Sequence, residues 1–331
     1  MRVLVTGASG FIGTVLTRRL RERGDEVRAL VRPTSATATL KKLGVDLVPV
    51  GLLDVDRIRS ALAGCELVYH LAGAVKALHP RDFFPTNAEA TRRVAEACAQ
   101  VSSPPRLVYL SSIAAAGPSA PGRPCREEDA PHPVSLYGES KLAGERAVRD
   151  FADRVFASIV RPPIVYGPGD REFVPLLARM ARRGLVVHAG RGERRYSVVH
   201  VEDLCQGLFA VAERGFRVGP EGSAGIYYLD DGAEHRWEDI GRAACAALDR
   251  RAVDLHLPML FGIVAAARNT VAASLSRKPA MLSFDKLKEL RQAAWTCSSE
   301  RARRELGYEP RVSLETGLRQ ALLWFLGPRP D

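Results

Sequence analysis

No two of the six cysteines stand at CxxC spacing. Cys65, Cys98, Cys125, Cys205, Cys245 and Cys297 are scattered singly along 331 residues. That argues against a disulfide framework, a zinc ribbon and a dithiol redox motif. The histidines form no cluster with zinc spacing, so no metal is expected. No charged n-region with a long apolar run and cleavage site precedes the strand-like start "MRVLVTG". With reduced thiols, this points to a cytoplasmic protein. There is also no basic run interleaved with aromatics. The formal charge of +10, from 48 basic and 38 acidic residues, is dispersed over stretches such as "TRRLRERG". It reads as solvated helix faces with some attraction for an anionic cofactor, and not as a nucleic-acid surface.

What is present is a large apolar fraction, 46%, enough for a sizeable core. The length suits one large α/β domain with a smaller lobe. "RVLVTG", "EVRALV", "DLVPVG", "LVYHLAG" and "RLVYLSS" are short Val/Leu-rich runs, the pattern of strands buried on both faces. Helical patterns at 11–23, 54–63, 86–101 and 137–151 alternate with them, and a further strand, "FASIVRPPIVYG", follows. Such alternation predicts a doubly wound parallel sheet with helices on both faces. Residues 1–170 form the dinucleotide-binding core in this reading, with the sheet completed by segments near 196–231. Residues 171–331 form a mixed substrate lobe, with helices at 173–183, 202–214 and 236–249 and a last one capped by Ser298 or Ser299 and ended by Gly307. The Pro-rich stretch 117–133 is a loop and a candidate substrate-side flap. The apolar stretch 255–275, "LHLPMLFGIVAAARNTVAASL", is too short to span a bilayer and is broken by Arg268. It reads first as a buried helix, and second as an apolar substrate wall or a peripheral membrane contact.

The chemistry starts at "VTGASGFIG", Val5 to Gly13. Gly7, Gly10 and Gly13 stand at a strand-to-helix turn, where backbone can approach a diphosphate and the helix N-terminus can receive its charge. Ser9, Phe11 and Ile12 lie in the same turn. About 20 residues on, an acid would bond a ribose 2′-hydroxyl and signal NAD. The chain has Arg32 instead, with Ser35 behind it, which suits a 2′-phosphate. NADP(H) is therefore preferred and NAD(H) is the second reading, because arginine could instead stack on adenine. Asp54, beside Leu53, is placed either to bind the adenine amino group or to cap a helix.

With "HLAG" (70–73), "YLSSIAAAG" (109–117), "YGESK" (137–141), "RPPIVYGPGD" (161–170) and "VVHVEDL" (198–204), this turn makes an ordered set. In that set the chain resembles the extended short-chain dehydrogenase/reductase family, the NAD(P)-dependent epimerase/dehydratase group. The resemblance covers nearly the whole chain. It implies a seven-stranded Rossmann sheet with a C-terminal substrate lobe, and a homodimer that pairs helices 86–101 and 137–151. It implies that Tyr137 is the acid/base, Lys141 its helical partner and Ser112 the residue that orients the substrate oxygen. It also implies cofactor contacts from Leu71, Ala72, Gly73, Asn87, Pro163, Ile164 and Val165, and substrate contacts from Ser112, Ile113, Ile164, Arg195 and Tyr196. His70 and His200 are read as structural.

A phenol titrates near pH 10, too high for a base at neutrality. Tyr and Lys four apart project from one helix face. Lys141 and a positive nicotinamide ring would favour phenolate, so the Tyr137 pKa is expected to fall toward the working range. Within the family, many nucleotide-sugar enzymes carry asparagine where this chain has Ile164, and arginine where it has Tyr196. Both departures, with the apolar 255–275 stretch, resemble the 3β-hydroxysteroid dehydrogenase and dihydroflavonol reductase branches. The resemblance thus implies interconversion of a ketone and a secondary alcohol on a bulky apolar substrate. A nucleotide-sugar 4-epimerase or dehydratase, with Arg191, Arg194 or Arg195 on the diphosphate, is the alternative. A non-catalytic NADP-sensing protein is a third reading.

Overall fold

A computed structural model describes residues 1–190, 192–258 and 284–327. Seven parallel strands form the central sheet: β1 (Arg2–Thr6), β2 (Glu26–Val31), β3 (Asp46–Pro49), β4 (Leu67–His70), β5 (Arg106–Leu110), β6 (Ala157–Arg161) and a late strand, β11 (Ile226–Tyr228). Their order is β11-β6-β5-β4-β1-β2-β3. The order reverses beside β1, and the crevice at that switch point is where such sheets bind ligands.

Alternation along each strand builds the two covering layers. Val3 and Val5 of β1 face a core shared with α1 (Phe11–Glu22), α2 (Ala38–Lys42) and α8 (Val201–Arg214). Leu4 faces the opposite core with α3 (Val55–Ala61), α4 (Ala90–Ala99) and α6 (Leu136–Arg149). Strands buried on both faces need apolar residues at every position, as their sequences show. All six cysteines are buried with free thiols.

A third core lies beyond the sheet's C-terminal edge. It joins α5 (Ile113–Ala116), β7 (Ile164–Tyr166), α7 (Phe173–Ala181), β8 (Leu185–Ala189), β9 (Arg195–Tyr196), β10 (Val198–His200), α9 (Trp237–Ala246) and the terminal helix, α12 (Leu314–Leu326). Three small sheets serve this lobe: β7 with β10, β9 with β12 (His235–Arg236) and β14 (Ala294–Trp295), and β8 with β13 (Val253–Leu257). The remaining helices there are α10 (Phe284–Leu290) and α11 (Glu300–Leu306).

Several expectations change. "FASIVRPPIVYG" is two strands, because Pro162 and Pro163 remove two ladder donors; β6 stays in the sheet and β7 leaves it to pair with β10. Of the segments near 196–231, β11 completes the sheet, while β9 and β10 belong to the lobe. The 117–133 loop is stitched down and forms no free flap: Ser119 N donates to Ala294 O at 3.1 Å, Cys125 N to Thr296 O at 2.9 Å, and Ser298 N to Cys125 O at 3.0 Å. Of the two serines expected to cap α11, Ser298 accepts the Glu300 amide at 3.3 Å, while Ser299 gives its hydroxyl to Asp230; Gly307 ends the helix at φ +60° as expected. The 255–275 stretch begins as strand, not helix, through Leu257, while 259–275 lies outside the described residues. Among the described residues, no helix is long and apolar enough to cross a membrane.

Candidate active site

The glycine turn is shaped by contacts that only glycine permits. Gly7 adopts φ +71°, and a Cβ there would stand 2.7 Å from the Ala72 nitrogen. A Cβ on Gly13 would stand 2.1 Å from the Gly7 carbonyl oxygen. The turn therefore packs directly on the "HLAG" segment and brings α1 hard against β1. Gly10 is the N-cap of α1 and offers no side-chain acceptor, and no acid occupies the first turn. The helix keeps its first amides and its positive end available, the donor set that suits a diphosphate. These residues fit a dinucleotide.

Further out, Arg32 is exposed after the end of β2, and its backbone N–H donates to Ser35 Oγ at 3.0 Å. Asp54 caps α3 through the Arg57 amide at 3.1 Å, and Leu53 is exposed. The cap is the role of Asp54 that the structure displays.

Strand β7 divides the site. Val165 packs with Phe11, Ile12 and Leu71 against the core under the glycine turn. Its neighbour Ile164 packs against the lobe core with Tyr137, Ile113 and Tyr196. The period of two sends Val165, expected on the cofactor, to the glycine-turn side, and Ile164, expected on both cofactor and substrate, to the lobe side.

Ser112, two residues past the end of β5, is in extended backbone and accepts the Ala114 amide at 3.1 Å, capping α5. Across from it, Tyr137 sits in the first turn of α6, edge-on to Phe83 with ring centroids 5.5 Å apart. Burial pushes the Tyr137 pKa up to about 12; a hydrogen bond from Ser112 pulls it down, and the Glu289 carboxylate pushes it up. The expected fall is thus absent here. Burial is the largest cause, and Lys141 is engaged elsewhere: its Nζ donates to Leu110 O at 2.7 Å and lies 4.9 Å above the Tyr109 ring. Burial lowers the Lys141 pKa to about 8, against the pull of Glu145.

Asn87 is wholly buried. Its Oδ1 accepts the Ala74 amide at 2.7 Å, and its Nδ2 donates to Ala74 O and Ser140 Oγ, both at 3.0 Å. Its amide holds the turn after "HLAG" to α6. A Cβ on Gly73 would meet Asn87 Oδ1 at 3.2 Å and Lys141 Nζ at 3.4 Å, so "HLAG", Asn87 and Lys141 converge. His70 is buried between Thr6 and Thr91, and burial drops its pKa to about 3, a structural residue.

The arginines of the lobe are committed elsewhere. Arg194 Nε donates to Leu290 O at 3.1 Å. Arg195 pairs with Glu193 at 2.6 Å and Glu234 at 3.5 Å. Tyr196 is buried against Trp237. Arg191 lies outside the described residues. Among those described, no cluster of His, Cys, Asp or Glu could hold a metal.

Two groups of polar residues had no signal in the motifs. Asp285 and Glu289 of α10 reach the start of α6 from about 150 residues away in sequence. Glu145, one turn beyond Lys141, forms a buried pair with Arg161 and bonds Ser111, next to Ser112. The second group could have been found, because a carboxylate on the apolar face of α6 needs a cation.

The model of the NAD dependent epimerase/dehydratase family matches residues 3–223. The chain is 32% identical over 326 residues to the ceramide reductase of Caulobacter vibrioides, covering 98% of this chain and 94% of that one. It is 30% identical over 331 residues to the 4-hydroxy-2-methyl-3-oxo-4-farnesyl-3,4-dihydroquinoline-1-oxide ketoreductase of Stigmatella aurantiaca, covering 96% and 95%. The solved complex of MoeE5 with UDP-glucose and NAD superposes with a TM-score of 0.74 at 27% identity, over 98% of each chain. With fold, glycine turn and relatives in agreement, the chain belongs to the NAD-dependent epimerase/dehydratase family, as an NAD(P)-dependent oxidoreductase of the extended short-chain type.

Proposed function

We propose that this enzyme interconverts a ketone and a secondary alcohol on a bulky apolar substrate, with NADP(H) as its preferred cofactor. One observation carries the reading: Tyr137 shares an apolar cluster with Ile113, Ile164, Phe173, Tyr196 and Trp237. A sugar diphosphate would meet few free donors there, since Arg194 and Arg195 are already engaged. Two relatives are named for reductions of a ceramide and of a farnesylated quinoline oxide, both greasy molecules.

A bound nicotinamide supplies or accepts the hydride. The glycine turn and the α1 N-terminus would hold its diphosphate, and Lys141 its ribose. In reduction, Ser112 donates a hydrogen bond to the carbonyl oxygen and stabilises the charge that grows there. Tyr137 donates its phenolic proton to the same oxygen, and the ketone gains hydride and proton to become the alcohol. Retaining the proton up to high pH suits Tyr137 to the reductive direction.

A homodimer belongs to the same reading. Phe84, Pro85, Ala88, Ala143 and Ala147, with the charged Glu89 and Arg92, line a groove of about 420 Å³ between α6 and the chain that leads into α4, where a second copy would seat.

The test is a substrate and cofactor panel. Long-chain and polycyclic ketones should turn over with NADPH, and UDP- and dTDP-sugars should not; turnover of sugar nucleotides alone would overturn the proposal. NADPH should bind more tightly than NADH in a fluorescence titration. A charge-assisted contact contributes about 1.5–3 kcal/mol, so Arg32→Ala should weaken NADPH by roughly 10-fold or more and leave NADH nearly unchanged. Equal loss for both cofactors would reduce Arg32 to an adenine-stacking residue.

A further inference from the structure

Helix α6 begins with amides that its own turns cannot satisfy. Ser135 accepts one, from Gly138 at 3.0 Å. The next two are taken by a residue far along the chain: Asp285 accepts from Leu136 N at 2.9 Å and from Tyr137 N at 3.3 Å. Glu289, one turn further along α10, accepts the Ser135 hydroxyl at 2.6 Å. Both carboxylates are buried, at 6% and 7% exposure. The helix α10 is itself held to the lobe: Trp295 Nε1 donates to Glu289 O at 2.9 Å, and Arg194 binds Leu290 O.

We propose that Asp285 and Glu289 are positioning residues for Tyr137, clamping the first turn of its helix from the substrate lobe. The inference rests on Tyr137 acting as the acid/base. A buried carboxylate at a helix N-terminus is favoured by the helix dipole, so the clamp is stable where it stands. Its negative charge also disfavours a second negative charge on the phenol beside it. The other groups around Tyr137 leave that role to Glu289. On its own helix Lys141 is bonded to Leu110 O, and Glu139 is exposed. From β5 and α5 come Tyr109 and Ser112, and from the preceding turn Phe83, with Asp82 bonded to His79. On α10, Lys286 pairs with Glu289 at 2.6 Å and Lys288 stands 3.9 Å from Asp285, both with exposed side chains.

Three variants separate charge from geometry. Glu289→Gln should move the alkaline limb of ketone reduction to lower pH by about half a unit or more, a roughly threefold change in phenolate fraction. For the same reason it should raise alcohol oxidation at neutral pH, a gain that structural damage would not produce. Glu289→Asp keeps the charge and shortens the reach, so kcat should fall while the pH limb stays put. Asp285→Asn should speed hydrogen exchange at the Leu136 and Tyr137 amides by about tenfold, as a charge-assisted bond becomes a neutral one. It should lower kcat with cofactor affinity unchanged. Wild-type pH limbs and kcat in Glu289→Gln would overturn the proposal, as would losses that merely track the folded fraction. Tyr137→Phe is the control: if it retains turnover, the acid/base reading falls first. If it is inactive while Glu289→Gln behaves as wild type, only this inference falls.

Discussion

Tyr137→Phe should lower kcat by about 10²- to 10⁴-fold, the contribution of a positioned general acid. The variant should bind NADPH as tightly as the parent and unfold at nearly the same temperature. Both halves follow from the surroundings of the ring. Phe83 meets it edge-on, and Ile113, Ile164 and Tyr196 share its cluster; a phenyl ring keeps those contacts. The hydroxyl that is lost has Ser112 as its partner, and Ser112 Oγ still accepts the Ala114 amide when the phenol is gone. No buried group is stranded, so stability should change by no more than about 1 kcal/mol. Lys141, the residue expected to hold the ribose, does not depend on the phenol: its ammonium is anchored on Leu110 O and the Tyr109 face. Turnover measured with NADPH and an apolar ketone, beside cofactor titration and a melting curve, decides the matter. Activity within tenfold of the parent would remove Tyr137 from the chemistry.

The sheet and its first two covering layers were legible because their signals are local. Val/Leu runs, glycine punctuation and helical period all act within about a dozen residues, and each βαβ unit repeats them. The glycine turn was legible for the same reason: Gly7 and Gly13 answer to contacts a few residues away, and to "HLAG" on the adjacent strand. The break at Pro162–Pro163 was written in the sequence but needed the rule that a proline pair cannot stay in a central strand. Other features were not local. Nothing near residue 120 says that the loop is stitched to 294–298, since those bonds close over some 175 residues. Nothing near Tyr137 announces Asp285 and Glu289. Burial is the largest influence on the Tyr137 pKa, and it comes from residues spread over the whole chain, not from charges on one helix face.

Breaking the Glu145–Arg161 pair should be the most damaging single change to stability, at about 3–5 kcal/mol for either residue alone. The side chains are 1% and 2% exposed, and the pair is bidentate: Arg161 Nε reaches Glu145 Oε1 at 2.8 Å and Nη2 reaches Oε2 at 2.6 Å. Burial works against the Arg161 charge, but Glu145 outweighs it and raises the guanidinium pKa. Glu145→Ala leaves that cation alone beside the Tyr228 hydroxyl, 3.3 Å from Nη1. Arg161→Met leaves the carboxylate with only the Ser111 hydroxyl, at 2.6 Å. A paired Glu145→Leu/Arg161→Met change strands no charge, so much of the lost stability should return, less about 1–3 kcal/mol for the hydroxyls of Ser111 and Tyr228 left without partners. Urea midpoints of the three variants measure this, and a double variant no better than the worse single one would show that packing, not charge, governs the site. The kinetics then separate stability from position. Glu145 lies one turn beyond Lys141, Arg161 opens "RPPIVYGPGD", and Ser111 precedes Ser112. The pair therefore pins α6, β6 and the end of β5 to one another at the point where Ser112, Tyr137 and Lys141 must meet. A double variant that regains stability yet keeps a depressed kcat, with KM for the cofactor near the parent value, would assign the buried ions to alignment of the three residues.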